Sequence, residues 1–173
     1  MAAVSTSRRS LAGVFFIVGG ALLLLQLLLA LASVASLPWL GTLALLAIAV
    51  AFAILAIGAV NSTLAKILLW ATAVGWALLA LSGLVALPAV LVTLAALVAG
   101  VGGVVAAIVL YVGKEIRNTP AILFIITTVL GLLYLLPSIG VAGLGSLATV
   151  IAIAFAIGLI VTGYLFTRKE GRR

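Results

Sequence analysis

Four clusters of charge divide this chain, and nothing acidic or basic lies between them. They are Arg8-Arg9, Lys66, Lys114-Glu115 with Arg117, and Arg168-Lys169-Glu170 with Arg172-Arg173. The intervals between them, residues 10–65, 67–113 and 118–167, are 56, 47 and 50 residues long. A helix needs about 20 apolar residues to cross a bilayer core of ~30 Å. One helix over the middle interval would be about 70 Å long at ~1.5 Å per residue, which is far too long. Three spans per interval would leave roughly 16 residues each and no room for turns. Two spans and a short turn fit every interval. The chain therefore reads as an all-α integral membrane protein, a bundle of six transmembrane helices in three tandem hairpins. These approximate hairpin repeats (10–65, 67–113 and 118–167) make up a single transmembrane domain covering residues 1–173.

Proline punctuates each interval near its middle, at Pro38, Pro88 and Pro137, each preceded by Leu. Proline lacks an amide donor and restricts the residue before it, so it marks helix boundaries. The expected spans are Leu11–Ala35, Trp39–Val60, Ile67–Val85, Ala89–Val112, Ala121–Leu136 and Leu144–Phe166. Thr119-Pro120 reads as a start, with Thr as N-cap and Pro at the first helical position. The fifth span is the shortest, and its helix could run a little past Pro137.

Composition excludes most chemistry. The chain is 68% hydrophobic and 6% charged, with no His and no Cys, and it also lacks Asp; a soluble domain is about a quarter charged. Without His, Asp or Cys, the usual zinc, haem and iron–sulfur sites, catalytic triads and carboxylate dyads cannot be built. No catalytic, cofactor-binding or metal residues are expected, and an integral membrane enzyme is the least supported class. Glu115 and Glu170 fall outside the spans among basic residues and read as solvated, which leaves no carboxylate for an intramembrane ion relay.

Orientation follows from the same clusters. Six spans put all nine basic residues on one side, whereas five or seven would split them. The positive-inside rule makes that side cytoplasmic, with both termini there, in a cell (inner) membrane. The lipid bilayer, with its anionic headgroups, accounts for the net charge of +7 as a partner. Nucleic acid is excluded, since no basic domain lies outside the membrane. Ser7-Arg8-Arg9-Ser10-Leu11 resembles a twin-arginine export signal, and Ser33-Val34-Ala35 resembles a cleavage site. However, the apolar run of about 24 residues exceeds the ~7–15 of a signal segment, so it is expected to stay as the first span. Asn61-Ser62-Thr63 spells a glycosylation acceptor, but it falls in a turn on the cytoplasmic side, where the motif has no meaning.

Small residues recur with the repeat. Counted from each proline, matching offsets hold Ala49 and Ala53, Ala99 and Gly103, and Ala148 and Ala152. The fourth span extends this to Ala95-Ala99-Gly103-Ala107, and the sixth to Ala148-Ala152-Ala156. Gly19, Gly75 and Gly131 are each 56 apart. In lipid, helices associate by close packing, and small residues let backbones approach. These residues are therefore the expected packing faces, with Leu, Ile, Val and Phe of the second helices turned to lipid. Repeats of two helices share orientation, unlike the inverted repeats of many transporters.

Few polar groups lie within the spans. Gln26 reads as mid-span, facing the bundle and bonding across helices. Trp76 lies deep, and its indole N–H needs a partner. These two are the candidate intramembrane polar contacts, and a pocket between them is conceivable. Thr72, Thr93, Thr127, Thr128, Thr149 and Thr162 are expected to bond their own helix backbone four residues back. Trp39, Trp70, Tyr111 and Tyr164 read as interfacial anchors.

Each of the three hairpins carries a glycine in its first helix, a proline at the outer turn and a glycine in its second helix. The three sets are Gly19…Pro38…Gly58, Gly75…Pro88…Gly100 and Gly131…Pro137…Gly158. In this pattern the chain resembles the HdeD-like family of bacterial membrane proteins. The resemblance implies a non-enzymatic inner-membrane protein linked to acid and stress resistance, with no catalytic residues to carry over. Two other readings stand beside it: a small transport component, including a pore made by a homo-oligomer, and a structural subunit with a membrane-complex partner.

The orientation is directly testable because the chain contains no cysteine. A single cysteine in Lys114→Cys should react with a membrane-impermeant thiol reagent only from the cytoplasmic side, and one in Ala86→Cys only from the opposite side. The reverse pattern would overturn the topology.

Overall fold

A computed structural model describes residues 6–32, 37–58, 62–116, 118–141 and 143–168. The described residues form six long helices and no strand. They are α1 (Thr6–Leu31), α2 (Pro38–Gly58), α3 (Thr63–Ser82), α4 (Ala89–Val112), α5 (Asn118–Leu135) and α6 (Ser146–Thr167). Leu136–Ile139 continues α5 as a short 3-10 turn. All six helices, α5 taken with its 3-10 turn, are long and apolar enough to cross a membrane. The protein is a multi-pass membrane protein built as a six-helix bundle.

The helix boundaries follow local chemistry. Pro38 opens α2, where its missing N–H costs nothing. Ser62 caps α3 by accepting from the Ala65 N–H, so α3 starts earlier than the expected Ile67 and takes Lys66 into its first turn. Likewise α1 starts at Thr6 rather than Leu11 and includes Arg8 and Arg9. Asn118 rather than Ala121 opens α5, which puts Thr119-Pro120 inside its first turn. The expected end of α1 and its cleavage-like Ser33-Val34-Ala35 lie outside the described residues, as do Asn61 and the expected end of α2. The connection after Pro137 runs through Gly140, Gly143 and Gly145, all with positive φ, a backbone region that favours glycine. Hence α6 begins nine residues beyond its proline while α4 begins one beyond, and offsets counted from Pro137 do not mark equivalent positions in α6.

Each helix packs against its neighbours in sequence, and α1 also packs against α6. The six therefore stand in a closed ring. With an even number of helices, every contact in such a ring can be antiparallel, including the one that closes it. The α1–α6 seam is the tightest. A Cβ added to Gly13 would lie 2.6 Å from the Gly163 carbonyl oxygen, and one added to Gly163 would lie 2.5 Å from that of Gly13. Two turns further, a Cβ on Gly20 would lie 2.6 Å from the Ala156 carbonyl oxygen. Only glycine permits this approach on α1.

The 56-residue glycine spacing marks contacts within hairpins. Gly19 faces Ala44 and Ile48 of α2, Gly75 faces Ala95 and Ala99 of α4, and Gly131 faces the Phe155 ring of α6. Of the expected packing residues, Ala49, Ala95, Ala99, Gly103, Ala107, Ala152 and Ala156 are buried, while Ala53 and Ala148 are half-buried. The phenylalanines depart from expectation. Phe52, Phe155 and Phe166, all on second helices, are buried rather than turned to lipid. Six helices around an axis leave a space that Ala and Gly cannot fill, and protein interiors are close-packed.

The seam predicts an asymmetric response to added bulk. Gly163→Leu should destabilise the bundle by about 1–3 kcal/mol through overpacking, measured by denaturant unfolding in detergent. Val161→Leu, at an exposed position on the same helix, should leave the midpoint unchanged. Equal behaviour of the two variants would show that the seam is misplaced.

Candidate functional site: the ring interior and its basic rim

Aromatic rings fill the axis in two groups. Toward the basic end, Phe16, Phe52, Phe124 and Phe166 come from α1, α2, α5 and α6. Their contacting ring centroids are 5.4 to 6.1 Å apart, and Phe16 and Phe52 meet edge to face. Toward the uncharged end, Phe155 stacks on Trp76 at 5.8 Å and on Tyr134 at 5.4 Å. Such pairs contribute about 0.5–1.5 kcal/mol each beyond the area they bury. These rings bridge helices that share no backbone contact, such as α1 and α5.

Between the two groups lies a small cavity reached by all six helices. The aromatic groups bound it, with Ala99 and Gly103 of α4 and Thr127 and Thr128 of α5 among its walls. It leaves about 10 Å³ for the centre of a water-sized sphere. Trp76 is buried there, and its Nε1–H has no hydrogen-bond partner among the described residues. An unpaired buried donor of this kind costs about 1–3 kcal/mol.

The threonines divide between two roles. Thr72 bonds the Leu68 carbonyl four residues back at 2.8 Å, and Thr128 bonds the Ile125 carbonyl three back at 2.9 Å. Thr127 and Thr162 instead bond each other across α5 and α6 at 2.8 Å, fully buried. That cross-helix pair had no signal in sequence, since the two residues lie in different spans with no distinguishing neighbours. Gln26 sits apart from Trp76. It is half-buried, and its amide packs on Gly41 in the first turn of α2, near the uncharged end rather than mid-span. It does not line the Trp76 cavity. The anchor residues Trp39, Trp70, Tyr111 and Tyr164 are exposed.

The basic rim is more built than the expected solvated loops. Arg8 Nη1 donates to the Ile57 carbonyl at 2.6 Å, placing a cation at the C-terminal end of α2, where the helix dipole favours it. Arg9 is buried, two turns below Phe16 on the same helix face, and its Nε has no partner among the described residues. Glu115 is buried rather than solvated, with only 4% of its surface exposed and no partner for Oε2 among the described residues. Lys114 turns the chain there with φ of 53°, which directs Glu115 back onto the start of α3. Burial raises its pKa above the ordinary value, while the Lys66 charge and the Ser62 backbone N–H pull it down. Charge spacing marks Glu115 in the sequence but is the same for a solvated carboxylate and for one folded inward.

Comparison of the chain with protein-family models, curated proteins and solved structures finds no match.

The raised pKa of Glu115 has a defined sign. In the pH range between the ordinary value near 4.5 and the raised native value, the folded state holds more protons than the unfolded one. Stability therefore rises as pH falls through that window. Unfolding of the purified protein in detergent should show this slope, and Glu115→Gln should flatten it without loss of stability at neutral pH. A slope unchanged by Glu115→Gln would rule out this residue as its source.

Proposed function

We propose that the chain is a non-enzymatic inner-membrane protein of the HdeD-like kind, with both termini cytoplasmic, that supports survival under acid stress. One observation carries the reading: Gly19, Gly75 and Gly131, each 56 residues apart, all face the next helix of their own hairpin. That is the contact a threefold hairpin repeat requires, and the resemblance rests on that repeat. The interior supports the non-enzymatic part. Its walls are Phe, Ala, Gly, Leu, Thr and Trp, side chains that offer no general acid or base near neutral pH. The acid link is supported by Glu115, whose protonation favours the folded bundle.

The closed ring favours a second reading, a small transport component. Six helices around one axis could conduct a solute if the aromatic groups moved apart. Deletion of the gene in its native host should lower survival after acid challenge, and the full-length chain should restore it. Unchanged survival, together with solute flux in proteoliposomes that a Phe124→Ala variant increases, would favour the transport component instead. Recovery from native membranes in a fixed complex would favour the structural subunit.

A further inference from the structure

The void between the two aromatic groups has walls of one character. Five rings, those of Phe16, Phe52, Trp76, Phe124 and Phe155, line it together with Leu159 and small residues of α4 and α5, and its surface is almost wholly apolar. Thr127 and Thr128 complete the wall, but their hydroxyls are engaged within the protein. Thr128 donates to the Ile125 carbonyl at 2.9 Å, and Thr127 and Thr162 bond each other at 2.8 Å. What Thr128 turns to the neighbouring wall residue Gly103 is its methyl group. The Trp76 N–H is one donor at most. A buried water needs two to four polar partners, and this lining does not supply them, so the void is dry. Walls around a dry void lack the dispersion contacts that packed atoms make, and an apolar occupant restores them.

We infer that this void is a binding site for one small apolar molecule of about the size of dioxygen. The centre of a water-sized sphere has about 10 Å³ to move in, roughly 2 Å in each direction. The two atoms of dioxygen stand closer together than that, and each is about as wide as a water. Solutes the size of an amino acid or a sugar do not fit. An ion would find no opposite charge in the walls to offset its lost hydration. The site lies within the spans, and an apolar gas dissolves better in lipid tails than in water, so the bilayer itself supplies the ligand. The inference does not depend on the acid-stress reading.

The test uses the full-length chain in lipid nanodiscs, with Trp39→Phe and Trp70→Phe leaving Trp76 alone of the three tryptophans. Both replaced residues are exposed. The intensity and lifetime of Trp76 fluorescence are followed as the pressure of dioxygen, the probe, is raised. Dioxygen dissolved in the bilayer quenches by collision and lowers intensity and lifetime in proportion. Dioxygen already in the void quenches at contact, so intensity should fall further than lifetime. Gly103→Ala adds a methyl to the wall. Its Cβ would meet Thr72 Cγ2 at 3.5 Å and Thr128 Cγ2 at 3.7 Å, both ordinary contacts. It should abolish the excess loss of intensity and raise the unfolding temperature, since it fills empty space and alanine is the better helix former. Leu159→Ala widens the void and should increase the excess. Proportional loss of intensity and lifetime in the Trp76-only chain would overturn the site, and so would an excess that survives Gly103→Ala. Should Gly103→Ala fail to fold, an excess that Leu159→Ala leaves unchanged is sufficient to reject it.

Discussion

The close approach of α1 and α6 turns a row of hairpins into a ring. Without it, the first and last helices would be edges, and the interior would open sideways into lipid. A hydrophobic driving force cannot make this contact, because lipid tails are as apolar as leucine. What remains is contact itself. Gly13 against Gly163 and Gly20 against Ala156 bring the two backbones together, so many weak dispersion contacts replace contacts with mobile chains. The seam also requires an even number of helices, which the spacing of the charge clusters independently demands.

Closing the ring creates the next problem, an axis that must be filled. Small residues on α4 draw the wall inward, and planar rings from α1, α2, α3, α5 and α6 occupy the space they leave. Rings suit this role because they reach across to helices that are not neighbours. Phe16 of α1 touches Phe124 of α5, and Phe52 of α2 touches Phe124 as well. The bundle is thus held in two ways: around its circumference by glycine and alanine, and across its diameter by aromatic rings. The buried Thr127–Thr162 bond adds a polar link, of a kind that averages about 0.6 kcal/mol between helices in lipid.

Different parts of this arrangement were legible in the sequence to different degrees. The helix count and the common side of the charges were readable, since charge in a span is costly and its spacing is unambiguous. The within-hairpin glycines were readable from their regular period. The seam glycines Gly13, Gly20 and Gly163 were not, because they belong to no repeat. The inward direction of the phenylalanines was also hidden. In a soluble helix, hydropathy distinguishes inside from outside, but here both sides are apolar, and Phe52 looks no different from the exposed Leu46 or Val50. Size and shape decide which residue faces the axis, and hydropathy carries neither. Burial of Glu115 was hidden for a related reason: it depends on the left-handed turn at Lys114.

The charged residues also hold the open ends of the hairpins. Each hairpin is closed covalently at its uncharged end and open at its basic end. Two of the open ends are clasped by a charged side chain reaching from one helix to the other. In the first hairpin, Arg8 of α1 bonds the Ile57 carbonyl near the end of α2. In the second, Glu115, just beyond α4, takes the Ser62 backbone N–H at the start of α3. The signs are opposite, and each matches the dipole of the helix end it meets. Burial costs the Glu115 carboxylate more than the Lys66 charge and the Ser62 N–H return, so the protonated acid, one of only two acids in the chain, is the form this corner of the bundle favours.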